Sequence, residues 1–368
     1  MSFSELFAKC SWEEIKEGIY SAAPNDVEAA LTKGNLEVHD FAALVSPGAA
    51  PYLPEILEKS ASITRRRFGN TIQMYIPLYL SNECQNICTY CGFSFGNKIP
   101  RITLSDKQIL EEAQVIRSLG YEHVLLVTGE ANKSVGVAYL ENAIRLLKPL
   151  FAQISIEVQP LETDQYRRLI AAGLYAVLVY QETYHREAYA EYHPKGKKSN
   201  FDYRLETPER LGRSGVHKIG LGNLIGLEDW RVEAFFVALH LEYLEKNFWQ
   251  TRFSISFPRL RPAVGALAPK YNISDRELMQ LICAYRIFNE NVELSLSTRE
   301  YPEFRDEAIK IGITSISAGS KTEPGGYAIN SNALKQFEIS DERTPSEIAA
   351  MIAERGLEPV WKDWDQYW

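Results

Sequence analysis

The sequence predicts an α/β protein, a closed (β/α)8 barrel of the TIM type with a helical N-terminal extension and a C-terminal tail. Three observations predict it. Eight short β-branched, apolar runs recur between Thr71 and Ser317, helical periodicity fills the intervals, and glycine closes several intervals just before the next run. Eight parallel strands joined by right-handed helical crossovers close most simply into a barrel. An open doubly wound sheet is the alternative. It would be favoured by a Gly-x-Gly-x-x-Gly after the first strand, where this chain carries cysteines.

Residues 1–70 read as the helical extension, with helical segments at 12–20, 25–31, 38–44 and 51–67. The barrel is expected over 71–320, its strands at 71–80, 123–128, 153–158, 176–180, 217–221, 252–257, 292–297 and 314–317. Between them lie helical stretches at 105–119, 164–172, 207–214, 230–247, 274–289 and 302–311. Ser105, Thr207 and Ser274 sit where N-caps are expected, and Gly120, Gly173, Gly215 and Gly312 where a left-handed residue ends a helix. The tail, 321–368, is expected to cap the barrel; it has helical potential at 345–356 and ends in Trp361, Trp364, Tyr367 and Trp368. Those aromatics either close the barrel mouth or pack on the helices.

Of the 368 residues 45% are apolar and 24% charged, a composition able to bury a substantial core. A net charge of −8 argues against a nucleic-acid partner, which would demand a surplus of Lys and Arg; the one basic cluster, Lys195, Lys197 and Lys198, is short. No apolar run is long enough to span a bilayer and the N-terminus lacks a leader pattern, so no membrane association and a cytoplasmic location are expected. Five cysteines, three of them within eight residues, do not form a disulfide framework. Cys10 and Cys283 stand alone, the latter as a small buried hydrophobe in a helical stretch.

The chemistry concentrates where the first strand ends, in Cys84-x-x-x-Cys88-x-x-Cys91 with Tyr90 before the third cysteine. Three thiolates can occupy three corners of a [4Fe–4S] cube and leave one iron without a protein ligand. An open coordination site means reactivity. The open iron can chelate the amino and carboxylate groups of S-adenosylmethionine (SAM), whose reductive cleavage starts radical chemistry. A zinc-binding scaffold is the bland alternative, although no fourth Cys or His follows at finger-like spacing. The spacing and Tyr90 resemble the signature of the radical SAM superfamily.

In a (β/α)8 barrel the working residues sit at the C-terminal strand ends. Strand two ends in Thr128-Gly129-Glu130, which resembles the superfamily's Gly-Gly-Glu segment and implies backbone contact with the SAM ammonium group; as a bare pattern it could be only a turn. Glu157 follows strand three and could merely cap a helix, Glu182 follows strand four, and Ser317 ends strand eight with Ser320 beyond. Arg299, at the mouth of strand seven, is shaped for bidentate capture of a carboxylate, or for pairing with a neighbouring acid.

Several blocks, among them PLYLSN at 77–82, LLVTGE at 125–130, SFPRLRP at 256–262, SLSTRE at 295–300 and SKTEPGGY at 320–327, resemble the tyrosine lyases of thiamine biosynthesis. That resemblance implies cleavage of the Cα–Cβ bond of L-tyrosine to 2-iminoacetate and p-cresol, with SAM consumed to methionine and 5′-deoxyadenosine. It implies Arg299 and Ser317 on the substrate carboxylate and Tyr79 beside the substrate amine. More distant likeness implies Glu182 on the SAM ribose and Arg210 on its carboxylate. Partners implied are the thiazole synthase that consumes the imine, and flavodoxin or ferredoxin as electron donor. Only Cys10 and Cys283 remain outside the loop, too few for the second cluster that related sulfur-donating enzymes need, whereas a lyase acting on tryptophan stays open as an alternative.

Overall fold

The structure is a computed structural model describing residues 1–329 and 333–363. The N-terminal segments fold as helices α1 (Phe3–Phe7), α2 (Trp12–Tyr20), α3 (Pro24–Thr32), α4 (Val38–Val45) and α5 (Leu53–Phe68). Strands β1 (Thr71–Ser81), β2 (His123–Thr128), β3 (Gln153–Glu157), β4 (Ala176–Leu178), β5 (Lys218–Leu221), β6 (Arg252–Ser256), β7 (Glu293–Leu296) and β8 (Ser315–Ser317) follow, each parallel to the next. β1 pairs with both β2 and β8, which closes the barrel. Between strands lie α6 (Asp106–Ser118), α7 (Val137–Leu147), α8 (Thr163–Ala172), α9 (Arg186–Tyr192), α10 (Phe201–Leu205), α11 (Thr207–Ser214), α12 (Trp230–Asn247), α13 (Asp275–Phe288) and α14 (Pro302–Ile311). The extension packs outside this ring, α2 and α4 on α12, α4 and α5 on α13, and α5 on α14. No helix among the described residues is long and apolar enough to cross a membrane.

β1 shows how the chain separates core from site. Ile72, Met74, Ile76, Leu78 and Leu80 are fully buried among core residues, while the alternate residues Tyr75, Pro77 and Tyr79 line the barrel interior, as a period of two requires. The interior is not plugged with branched aliphatics as in a packed barrel. Its lower layers carry Gln73, Ser155, Ser254, Ser256, Ser295 and Ser315 with the buried ion pair Lys218–Glu293 at 2.7 Å. Small polar side chains leave space below the mouth, so the site extends into the barrel.

The structure departs from expectation at several places. Helix α7 was absent from the predicted stretches although its Leu140, Ala143, Ile144 and Leu147 form a buried helical stripe. After α15 (Pro345–Glu354) a three-residue strand, β9 (Glu358–Val360), pairs with Thr71–Gln73, the stretch of β1 below the reach of β2. Thr207 is not a cap but the first residue of α11, its hydroxyl donating to the Tyr203 carbonyl at 3.0 Å. Gly120, Gly173 and Gly215 have positive φ as expected, but Gly312 does not (φ −146°). There the need is space, because a Cβ would lie 2.9 Å from Ile282 Cγ2.

Candidate active site

The loop leaving β1 is held from outside by one arginine. Arg101 donates to the carbonyls of Asn82, Phe93, Ser94 and Asn97 at 2.7–3.2 Å, and Asn97 donates to those of Cys91 and Gly92. From inside, the turn after β2 presses on it. A Cβ on Gly129 would fall 2.2 Å from the Glu83 carbonyl oxygen, so only glycine lets the Thr128-Gly129-Glu130 turn meet the cysteine loop. Cys84, Cys88 and Cys91 thus line one cavity at the barrel mouth, together with Tyr90, Phe93, Thr128, Gly129, Glu130, Glu157, Glu182 and Arg299. All three thiols are free, and burial pushes each above the usual thiol range.

Beside the thiols sits a buried quartet of two acids and two bases. Arg204 of α10 donates to Glu130 at 2.9 Å, to Glu182 at 3.5 Å and to the Tyr180 carbonyl at 2.7 Å, and Lys198 donates to Glu182 at 2.6 Å. Asn86, between the first two cysteines, donates to the other oxygen of Glu130 at 2.8 Å. The quartet therefore ties the cysteine loop to the ends of β2 and β4. Burial opposes ionisation of Glu130 and Glu182, but Arg204 and Lys198 outweigh it and hold both carboxyls below their ordinary value. Glu182 has φ +71°, a left-handed conformation costly for a residue with a Cβ and characteristic of functional sites.

A second cavity lies below the first, lined by Tyr75, Tyr79, Ser297, Thr298, Ser317 and Ser320. The two share Glu157, Tyr180, Arg299 and Phe337. Glu157 lacks the close ion pairs of its neighbours; burial and then the Glu182 charge push its carboxyl up to about 7. Arg299, held over the Phe337 ring at 3.3 Å from its centroid, is lowered from its ordinary value by burial. The Tyr79 hydroxyl donates to Gln336 Oε1 at 2.7 Å, and the Ser317 hydroxyl accepts from the Thr298 amide at 3.2 Å.

The predicted residues thus converge, with one exception. Arg210 does not line either cavity: its guanidinium is spent on the carbonyls of Leu161 and Tyr203 and on the Thr207 hydroxyl, and it stacks on the Tyr203 ring. Arg204, six residues earlier on α10, is the guanidinium that reaches the cavity. Of the two outcomes open to the aromatic tail, Trp361 takes the packed one. Trp361 packs edge-on against Tyr121 near the start of β2, at the base of the barrel, while Trp364, Tyr367 and Trp368 lie outside the described residues. The mouth is covered instead by Gln336 and Phe337, which no sequence signal marked. The Gly92 amide donates to the Gln336 carbonyl at 3.3 Å, and the Gln336 side-chain amide lies 3.8 Å from Cys91 Sγ.

The donor set fits a cluster with an open iron and a polar cosubstrate. Three unpaired thiols share one cavity wall, yet no three His, Cys, Asp or Glu side chains among the described residues are gathered as ligands of a single ion. The buried hydroxyls of Thr128 in the upper cavity and Ser320 in the lower have no partner among the described residues, leaving polar capacity for what the cavities take up.

A closed (β/α)8 barrel delivering three thiols from its first strand to its mouth is the architecture of the radical SAM enzymes, and the profile of the Radical SAM superfamily matches residues 78–238. That of the Biotin and Thiamin Synthesis associated domain matches residues 256–358. The 2-iminoacetate synthase of Escherichia coli (strain K12) is 49% identical over 367 residues, covering 100% of this chain and 97% of that enzyme, and the same enzyme of Salmonella typhimurium is 48% identical over the same span. The chain belongs to the 2-iminoacetate synthase family. Among solved structures, HydG, a maturase of the [FeFe]-hydrogenase, superimposes with a TM-score of 0.87 at 30% identity, over 97% of this chain and 78% of HydG.

Proposed function

We propose that this enzyme is a radical SAM lyase that cleaves the Cα–Cβ bond of L-tyrosine to 2-iminoacetate and p-cresol for thiamine thiazole biosynthesis, converting SAM to methionine and 5′-deoxyadenosine. One observation carries the reading: the thiol-lined cavity and the cavity of Tyr79, Arg299 and Ser317 are stacked and share Glu157 and Arg299. A radical source and an amino-acid pocket are thereby adjacent.

Cys84, Cys88 and Cys91 would hold a [4Fe–4S] cluster. Bound together, cluster and SAM supply a carbon-centred radical able to take a hydrogen atom from the substrate. The Thr128-Gly129-Glu130 turn presents its backbone to the SAM ammonium group, and Tyr90 and Glu157 wall the cofactor. Glu182 takes the ribose, and Arg204, rather than Arg210, serves the SAM carboxylate. Below, Arg299 and Ser317 hold the tyrosine carboxylate, and Tyr79 stands beside its amine. Burial keeps the Tyr79 phenol protonated, so it offers a hydrogen bond rather than a charge. Gln336 and Phe337 keep water from the radical.

The product imine is labile in water, which favours transfer to the thiazole synthase. Flavodoxin or ferredoxin would supply the electrons, and a cytoplasmic location suits the reduced thiols and cluster. Anaerobically reconstituted enzyme given SAM, reductant and L-tyrosine is expected to release p-cresol, whereas L-tryptophan in parallel gives no 3-methylindole. SAM cleavage without p-cresol would end this reading.

A further inference from the structure

The outer surface of the cysteine loop carries a patch that the reaction does not use. Three of the eight exposed large apolar side chains among the described residues, Phe95, Val264 and Leu267, belong to segments hydrogen-bonded into this loop. The Phe95 amide donates to the Asn86 carbonyl at 2.8 Å and the Leu267 amide to the Thr89 carbonyl at 2.9 Å, while Asn97 bridges Cys91, Gly92 and the Val264 carbonyl. Beside them lies the short basic run. Ile87 donates to the Lys195 carbonyl at 2.9 Å, and a Cβ on Gly196 would fall 2.2 Å from Asn86 Oδ1, so residues 195–198 are pressed against the loop. Lys198 turns inward to the quartet. Lys195 and Lys197 stay exposed, as does nearby Lys98, and none of the three forms an ion pair with a carboxylate among the described residues. Lys270 is excluded from this free charge because it pairs with Glu228 at 2.9 Å.

Unpaired lysines around an exposed apolar centre are the arrangement of a transient protein interface, with the apolar part giving contact and the charges steering approach. On a chain of net charge −8 this local excess selects a partner more acidic than its surroundings. Its place, on the outer face of the loop whose inner face carries the thiols, selects the partner's task. We propose that Phe95, Val264 and Leu267, ringed by Lys98, Lys195 and Lys197, form the docking surface for an acidic one-electron carrier protein. This rests on the cluster assignment above. In the step concerned the carrier loses one electron and the cluster gains it, and no bond is made or broken.

The test uses the reconstituted holoenzyme with flavodoxin as the probe, under exclusion of oxygen. Surface plasmon resonance reads docking without turnover. K195E/K197E and F95S/L267S are each expected to weaken binding about 10-fold or more at low salt, and binding by the unaltered enzyme should weaken steeply with salt. K107E, a single charge reversal on exposed α6, should change it less than about 2-fold by the same reasoning. In parallel, the electron-paramagnetic-resonance signal of the reduced cluster should fall in the patch variants when flavodoxin is the donor, and stay unchanged with dithionite. Wild-type affinity in both patch variants, equal weakening by K107E, or equal loss with both reductants would overturn the proposal. So would a K195E/K197E enzyme that loses binding to thiazole synthase but not to flavodoxin. Failure of dithionite to reduce any cluster in the unaltered enzyme would instead count against the functional reading, and the binding titration would still decide docking.

Discussion

Replacing Arg299 by alanine should lower kcat/KM for tyrosine by about 10²–10³-fold, equivalent to roughly 3–4 kcal/mol, the scale for truncating one partner of a buried charge pair. Folding should be spared. Burial already lowers this guanidinium from its ordinary value, and among the described residues its one hydrogen bond is a long one, 3.3 Å, to the Arg259 carbonyl. A cation so poorly compensated is held for a ligand, and its removal relieves desolvation. Lysine at the position should restore little, because a point charge does not match a carboxylate as a planar fork does. Steady-state p-cresol formation with KM and kcat separated checks this. SAM cleavage without tyrosine should persist in the variant, since Arg299 is assigned to the substrate and not to SAM.

Arg204→Met should do the reverse and damage the fold. Its guanidinium is 6% exposed and bonds both Glu130 and Glu182, so truncation leaves two buried carboxylates with Lys198 alone. Breaking a buried ion network from one side costs about 3–5 kcal/mol. The urea midpoint should fall accordingly, and Glu130→Gln added to Arg204→Met should recover part of the loss by removing one orphaned charge. If Arg204→Met unfolds at the same denaturant concentration as the unaltered enzyme, the quartet does not hold the cysteine loop to β2 and β4. Two arginines lining the same cavity thus differ: Arg204 braces the scaffold with the face it turns to Glu130 and Glu182 as well as facing the cofactor, and Arg299 is kept for the substrate.

That difference explains what could be read from the chain. The strands were legible because each is a short β-branched run followed by punctuating polar residues, and the cysteine loop because a local spacing carries its chemistry. Strand-end logic then led to Glu157, Glu182, Arg299 and Ser317, all of which line the cavities. Arg210 against Arg204 could not be settled that way. Both lie on helical segments, six residues apart, and only the short helix α10, with its turn into α11, decides which faces inward. Lys198 was legible only as a member of a short basic cluster, because its inward turn comes from contacts with residues such as Glu130 and Glu182. Gln336 and Phe337 follow the last barrel strand in a segment without periodicity, and they reach the mouth by hydrogen bonds to Gly92 and Thr322. Composition alone could not choose between lid and packing for the terminal aromatics; β9 pairs with the first residues of β1 and carries Trp361 to the opposite end of the barrel, where it packs.

Iron, sulfide and nucleoside release measured together on Cys88→Ala test the account most directly, with the protein reconstituted under strict exclusion of oxygen and supplied with SAM and dithionite. The expected result is loss of the four-iron complement and of 5′-deoxyadenosine formation, with the fold retained by circular dichroism. Undiminished nucleoside release from that variant would contradict the assignment of the three thiols, and with it the chemistry built on them.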